Sequence, residues 1–379
     1  MRKEEIRSLV VYMLLIVLAI IFGFAFVKDA VIQYGPTHMK PFPYLLVTVV
    51  LSYLINALGL ELLHVLGAAI GGYSITYFNV LWLCFYKEEN KWKFGLREFN
   101  GLSGETRFAP KREKKNINWV VWFPLFGFAI ELATCIVIHS QVKTAVNPGA
   151  PWLGSASLIL LLISSLLAFY NFIPLKLETM TDGYRIRLFS NPVNVKAYNE
   201  MLEIQEKRRL GKSVEKIPVF SEITEYTAEI NVLAMYKYLE QEQYKEAEEI
   251  IDVLLQNEKV LSLNDYYRLI AQKIYLAILC KPIEEARQLY NDLCSSEVRR
   301  FMANDVSMPS IRAYILIAGM LEGSESEVLY AKGKVEKAKR RALASEVKTE
   351  EQLLNKAIDY VYENHPKWVK DKENENSAE

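Results

Sequence analysis

Leu60-Glu61-Leu62-Leu63-His64 lies inside an apolar run that begins near Tyr44 and ends near Ile70. A run of that length reads as a membrane span, because the hydrocarbon core of a bilayer takes about 20 helical residues. An acid and an imidazole in such a setting cost several kcal/mol unless paired or liganded, so they mark a functional site. Residues three and four apart on a helix share a face, so Leu60, Glu61 and His64 point the same way.

Working outward, three further stretches have the same character, roughly Leu9–Val27, Val120–Ile138 and Leu153–Phe172. The first is too long for an ordinary signal-peptide core. It is therefore expected to be a retained span. Orientation follows from the joints. Arg2, Lys3 and Arg7 precede the first span, and Lys87, Lys91, Lys93, Arg97, Arg107, Lys111, Arg112, Lys114 and Lys115 lie between the second and third. The other two joints carry only Lys28 and Lys40, and Lys143. Positive charge stays inside, so both termini and the long joint are expected to be cytoplasmic.

With 45 basic and 45 acidic residues the chain has no net charge, which argues against a nucleic-acid partner. Cys84, Cys135, Cys280 and Cys294 show no C-x-x-C spacing and read as free thiols in a reducing compartment. Gly71-Gly72 reads as a helix stop, since no Walker-type lysine follows. The joint after it, Tyr73 to Phe99, is β-branched and aromatic, with a turn candidate at Lys87-Glu88-Glu89-Asn90. It predicts a β-hairpin or small sheet at the inner interface, and Gly101 to Lys115 would then lead back to the bilayer and its lipid. Trp82, Trp92, Trp119 and Trp122 fit interfacial anchors, and Asn56 fits interhelical hydrogen bonding.

Span four ends at Asn171-Phe172-Ile173-Pro174, where proline breaks the helix, and Asp182-Gly183 follows as a turn at the inner face. Glu61 and His64 fall late in an outside-to-inside span, so these fragments converge on one depth. From about Asn194 the chain becomes successive amphipathic helices. Leu233–Ala247 and a looser copy from Tyr275 to Ala286 resemble the helix-turn-helix unit of a tetratricopeptide repeat. Such an array could offer a protein partner a surface. The expected organisation is an extra span and outer loop (1–42), a membrane core (43–190), a cytoplasmic helical domain (191–369) and a disordered tail (370–379). The fold class is mainly α: a polytopic membrane protein with a small sheet and a soluble helical domain.

These residues carry a resemblance. The acid-and-histidine helix, the β-rich joint, Asn171-x-x-Pro174 and Asp182-Gly183 together resemble the site-2 protease family of intramembrane zinc metalloproteases, over roughly residues 42–190, and nearest a Gram-positive bacterial branch. The resemblance implies a bacterial cell-membrane location. In its H-E-x-x-H motif two histidines, with the aspartate of the later D-G turn, bind zinc, and the glutamate activates water. Carried over, His64 and Asp182 would be ligands, Glu61 the general base, and Asn171 and Pro174 substrate-positioning residues. Leu60 stands where the first histidine belongs.

That departure decides the functional expectation. Catalytic zinc normally takes three protein ligands and a water, and leucine donates no electron pair. His38 and His139 fall at the outer ends by topology, and His365 lies in the far helical region, which leaves Glu178 and Cys84 as stand-ins away from family spacing, while Glu131 is a further acid at membrane depth, nearer the outer half. The expectation is a pseudoprotease that binds a transmembrane or small peptide, or a protein partner. The alternatives are an active zinc endopeptidase using Glu61, His64 and Asp182, and an accessory of peptide export or immunity. Without metal, Glu61 and His64 would serve as hydrogen-bonding groups inside a packed bundle.

Overall fold

Helix α2 (Pro41–Ile70) carries the central stretch for 30 residues. Prolines at 41 and 43 favour its start, where the missing N–H groups would have no helical partner anyway. It stops at Gly71-Gly72, with Gly72 in the left-handed region at φ 88°. The protein is described by a computed structural model covering residues 3–28, 32, 40–88, 91–96, 104–112, 115–144, 152–176, 180–212, 214–341 and 344–368. The expected disordered tail, His38 and Glu178 lie outside those residues.

Three more helices accompany α2: α1 (Lys3–Phe22, continued by a wider turn at Gly23–Val27), α3 (Asn118–Thr144) and α4 (Trp152–Phe172). All four are long and apolar enough to cross a bilayer. Their outer surfaces expose Leu14, Leu51, Ile130 and Ile136, a surface suited to hydrocarbon rather than water. Polar ties join them inside. The Tyr44 hydroxyl donates to the Trp152 carbonyl (2.8 Å) and meets Ser155 Oγ (2.7 Å), binding α2 to α4. Ser164 Oγ donates to Glu131 Oε1 at 2.9 Å, binding α4 to α3. Asn56 departs from expectation, because its amide donates to the Ser52 carbonyl of its own helix rather than across to a neighbour (2.8 Å).

The joint between α2 and α3 forms a four-stranded antiparallel sheet, in keeping with the hairpin or small sheet expected there and extended by a strand beyond Phe99. Its strands are β1 (Tyr73–Val80), β2 (Leu83–Glu88), β3 (Lys91–Leu96) and β4 (Gly104–Pro110), in the order β3-β2-β1-β4. The aromatic run splits at Leu81-Trp82, where Leu81 takes φ 56° without the glycine or asparagine that usually announces such a turn. β4 arises where only a return to the bilayer was expected; it pairs with β1, with Phe78 opposite Thr106. Leu83, Phe85, Trp92, Phe94 and Leu96 all fall on one face of the β2–β3 hairpin by register, and all are exposed.

After α4 come α5 (Asp182–Phe189) and α6 (Pro192–Arg209). The chain divides into two compact units, Met1–Leu202 and Glu203–Glu379. The first takes in residues 191–202, because Tyr198 packs against Phe108 and Phe189, and Asn199 Oδ1 accepts from the Tyr73 hydroxyl at 2.7 Å.

The regular structure of the second unit is all helical among its described residues. α7 (Glu225–Glu240) and α8 (Tyr244–Gln256) form one helical hairpin, and α9 (Leu263–Cys280) and α10 (Ile283–Leu293) a second. Thr224 and Thr227 close a capping box on α7, and Ser262 caps α9. Ala247 and Ala286, the equivalent small residues of the two copies, are both wholly buried. Then follow α11 (Ser296–Asn304), α12 (Met308–Ile317), α13 (Glu325–Lys332), α14 (Val335–Arg341) and α15 (Ala344–Asn364).

Candidate functional site

The end of α4 and the start of α5 build the site's second half. Asp182-Gly183, expected as a turn, instead opens helix α5, with Thr181 as its N-cap. Thr181 Oγ1 donates to the Ile173 carbonyl (2.7 Å) and accepts from the backbone N–H groups of Leu175 (3.1 Å) and Tyr184 (3.3 Å). The cap therefore ties the segment at Ile173–Leu175 to the new helix. Gly183 is required here: a Cβ would lie 2.0 Å from the Phe172 carbonyl oxygen. That close approach draws the start of α5 onto the last turn of α4.

The result brings Asp182 against His64, across 118 residues of chain. His64 Nε2 lies 3.0 Å from Asp182 Oδ2 and 3.2 Å from Oδ1. Asn171 commits both ends of its amide to the same residue. Its Nδ2 donates to Asp182 Oδ2 at 2.8 Å, and its Oδ1 accepts from the Asp182 backbone N–H at 3.1 Å. Arg185, one turn along α5, stands 3.6 Å from Asp182 Oδ1. Burial pushes the Asp182 carboxyl up, but His64, Arg185 and Asn171 outweigh it and hold it below the usual carboxylate range.

On the other side of the imidazole, Nδ1 is 3.7 Å from Glu61 Oε2, which also accepts from Thr106 Oγ1 at 2.6 Å. Glu61 and Asp182 are each only 2% exposed, so both acids act in a medium where an unpartnered charge would be costly. Four elements meet at the cluster: α2 supplies Glu61 and His64, β4 supplies Thr106, α4 supplies Asn171, and α5 supplies Asp182 and Arg185. Pro174 is exposed just beyond α4 and ends the helix without joining the polar cluster in any contact found among the described residues.

The donor set can be tested against a catalytic zinc. His64 and Asp182 are adjacent, and Leu60, placed on their side of α2 by helical spacing, offers no lone pair. Among the described residues no set of three His, Cys, Asp or Glu side chains assembles at metal-binding spacing. Cys84 is wholly buried on the sheet face opposite to Thr106 by register, and Glu131 is engaged by Ser164. His139 meets Ser157 at 3.4 Å, and His365 meets the Gly319 carbonyl at 3.0 Å. Two protein donors fall one short of the usual three, and the Arg185 guanidinium already supplies positive charge to Asp182.

Comparison with protein-family models, with curated proteins and with solved structures finds no match to this chain. The site stands on its geometry alone. Two of its members were not expected from the sequence, Thr106 and Arg185. Arg185 sits three residues after Asp182, a helical spacing visible once that segment is read as helix.

Proposed function

We propose that this chain is a membrane-embedded, site-2-protease-like pseudoprotease of the bacterial cell membrane, multi-pass, with both termini in the cytoplasm. The observation that carries the reading is the Glu61–His64–Asp182 cluster assembled with Leu60 beside it. Each acid is held by a neutral or cationic neighbour from another element. Such a network fixes the ends of α2, α4 and β4 relative to one another without needing a metal.

The client is a transmembrane or small peptide lying beside the sheet, and the helical C-terminal unit, read as tetratricopeptide-like, recruits a protein partner. The exposed apolar face of Leu83, Phe85, Trp92, Phe94 and Leu96 supports contact of the β2–β3 hairpin with membrane lipid at the inner boundary. Lys87 over the Trp92 ring, at 5.1 Å from its centroid, supports the same placement, since such pairs suit a headgroup layer.

The test is elemental analysis of detergent-purified protein, parent beside Leu60→His. The expected result is well under one zinc per parent chain and about one per Leu60→His chain, as a third ligand completes the set. Stoichiometric zinc in the parent, with peptide cleavage lost in Glu61→Gln, would make the chain an active endopeptidase and end this reading. The close approach of Glu61 Oε2 to His64 Nδ1 is the one feature that favours that second reading.

A further inference from the structure

Arg312 is wholly buried in α12 and is the largest fully buried side chain among the described residues. Its guanidinium stacks over Tyr275 of α9 at 4.9 Å, and its Nη2 donates to Gln272 Oε1 at 3.2 Å. Nε and Nη1 complete no hydrogen bond with described residues. The carboxylate paired with it is Glu350 of α15, whose Oε2 stands 3.4 Å from Nη1. A buried guanidinium with two incompletely used nitrogens is expensive, and a pair needed only to hold two helices together would often be served as well by apolar packing. Its presence fits a surface that reads a carboxylate.

The rest of α15 behaves as a bound ligand would. Leu353, Leu354, Ala357 and Val361 form one buried stripe, three, four, seven and eleven residues after Glu350. Val361 lies over Gly319, where a Cβ would come within 2.6 Å of it, in the wide turn Ala318–Glu322 that extends α12. Its polar ties reach separate elements: Glu351 to Lys339 of α14 at 2.6 Å, Tyr362 to Lys332 of α13 at 3.3 Å, and Lys356 to Glu242 just after α7.

We infer that the surface formed by α7, α9 and α12 is a docking groove for an amphipathic partner helix bearing a carboxylate ahead of an apolar stripe, and that α15 is its built-in occupant, displaced when the partner binds. The occupant on the page supplies the partner's chemistry. Arg312 takes the carboxylate, Gly319 takes the branched side chain eleven residues later, and the stripe between fills the floor. A tethered helix competes at an effective concentration in the millimolar range, so a free helix binds weakly until α15 is loosened. This inference rests on the reading of the C-terminal unit as the recruiting part, and is independent of the site around His64.

The experiment uses the full chain in detergent micelles and a fluorescent peptide of residues 344–364. Hydrogen exchange on the parent comes first: amides of 350–364 are expected to exchange at least 100-fold faster than those of 269–278, because α15 detaches without global unfolding. Anisotropy then compares chains. The peptide is expected to bind Glu350→Gln chain at least tenfold tighter than parent, and Lys356→Gln chain at least threefold tighter. Peptide carrying Glu350→Gln is expected to lose at least tenfold on every chain. Exchange of α15 as slow as α9 would make it ordinary core and overturn the groove, whether or not the variants fold. Equal binding of both peptides would overturn the carboxylate reader. A concentration-dependent dimer with exchanged α15 would assign the groove to a second copy and overturn the partner. A protein partner captured elsewhere on the unit would overturn the groove while leaving recruitment intact.

Discussion

Asp182 and Arg312 are both charged and both almost wholly buried, yet their surroundings treat them in opposite ways. Asp182 has His64, Asn171 and Arg185 around it, and even its backbone N–H is taken by Asn171. Among the described residues Arg312 has one direct hydrogen bond, one aromatic face and one loose ion pair to a helix near the far end of the chain. A charge satisfied from every side by its own fold is fixed in place. A charge left with incompletely used nitrogens can exchange one carboxylate for another. On the two readings proposed above, the same difference would separate a preserved but emptied site from a surface suited to recognition.

The largest test of that contrast is Asp182→Ala. It strands the imidazole of His64 and the Asn171 amide in a buried pocket, and removing one partner of such a cluster costs about 3–5 kcal/mol. Thermal unfolding in detergent should fall by many degrees, with Asp182→Asn falling less because it keeps a hydrogen-bonding group of the same shape. If Asp182→Ala melts like the parent, the network is not structural, and the pseudoprotease reading loses its physical basis. Thr106→Val comes next. It leaves Glu61 Oε2 without its 2.6 Å donor and should cost about 1–3 kcal/mol, whereas Thr106→Ser should cost little.

These two positions also show how much was legible in the sequence. Four long apolar helices needed no periodicity to be seen, only length. The meeting of His64 with Asp182 agrees with the topology expected from the sequence, in which charge at the joints would put the end of α2 and the start of α5 at one depth. Thr106 was hidden because β4 lies between a glycine-rich segment and a basic run, where no alternation announces a strand. The break at Leu81-Trp82 was hidden because a bulky residue adopts a φ that usually belongs to glycine. Arg185 was missed because Asp182-Gly183 was read as a turn, although Thr181 ahead of an acid is also the mark of a helix start.

A smaller effect separates the units by pH. Asp305 and Glu322 in the second unit sit in burial that would raise their carboxyls, but Arg268 and Ser310 for the first, and Arg299 and Tyr290 for the second, more than offset it and hold both below the usual range. Carboxylates depressed in the folded state contribute stability above their unfolded values of about 4 and lose it as pH falls through the folded values. The second unit should therefore melt progressively earlier below about pH 4. Asp305→Asn should flatten that slope, and an unchanged acid limb would show that the Arg268 contact adds nothing.

The smallest change in stability is expected from the most drastic-looking substitution. Arg312→Met with Glu350→Leu removes a buried ion pair and supplies apolar volume on both sides, and such swaps often leave stability unchanged or raise it. The double variant should hold its unfolding free energy within about 1 kcal/mol of the parent, or above it, while Arg312→Met alone falls, because Glu350 then loses its guanidinium. What the double variant should lose is discrimination: α15 peptides with and without the carboxylate should bind it equally. That outcome would show that the pair around Arg312 serves selection rather than stability, whereas a large loss of stability would put Arg312 in the same class as Asp182 and remove the difference between the two regions.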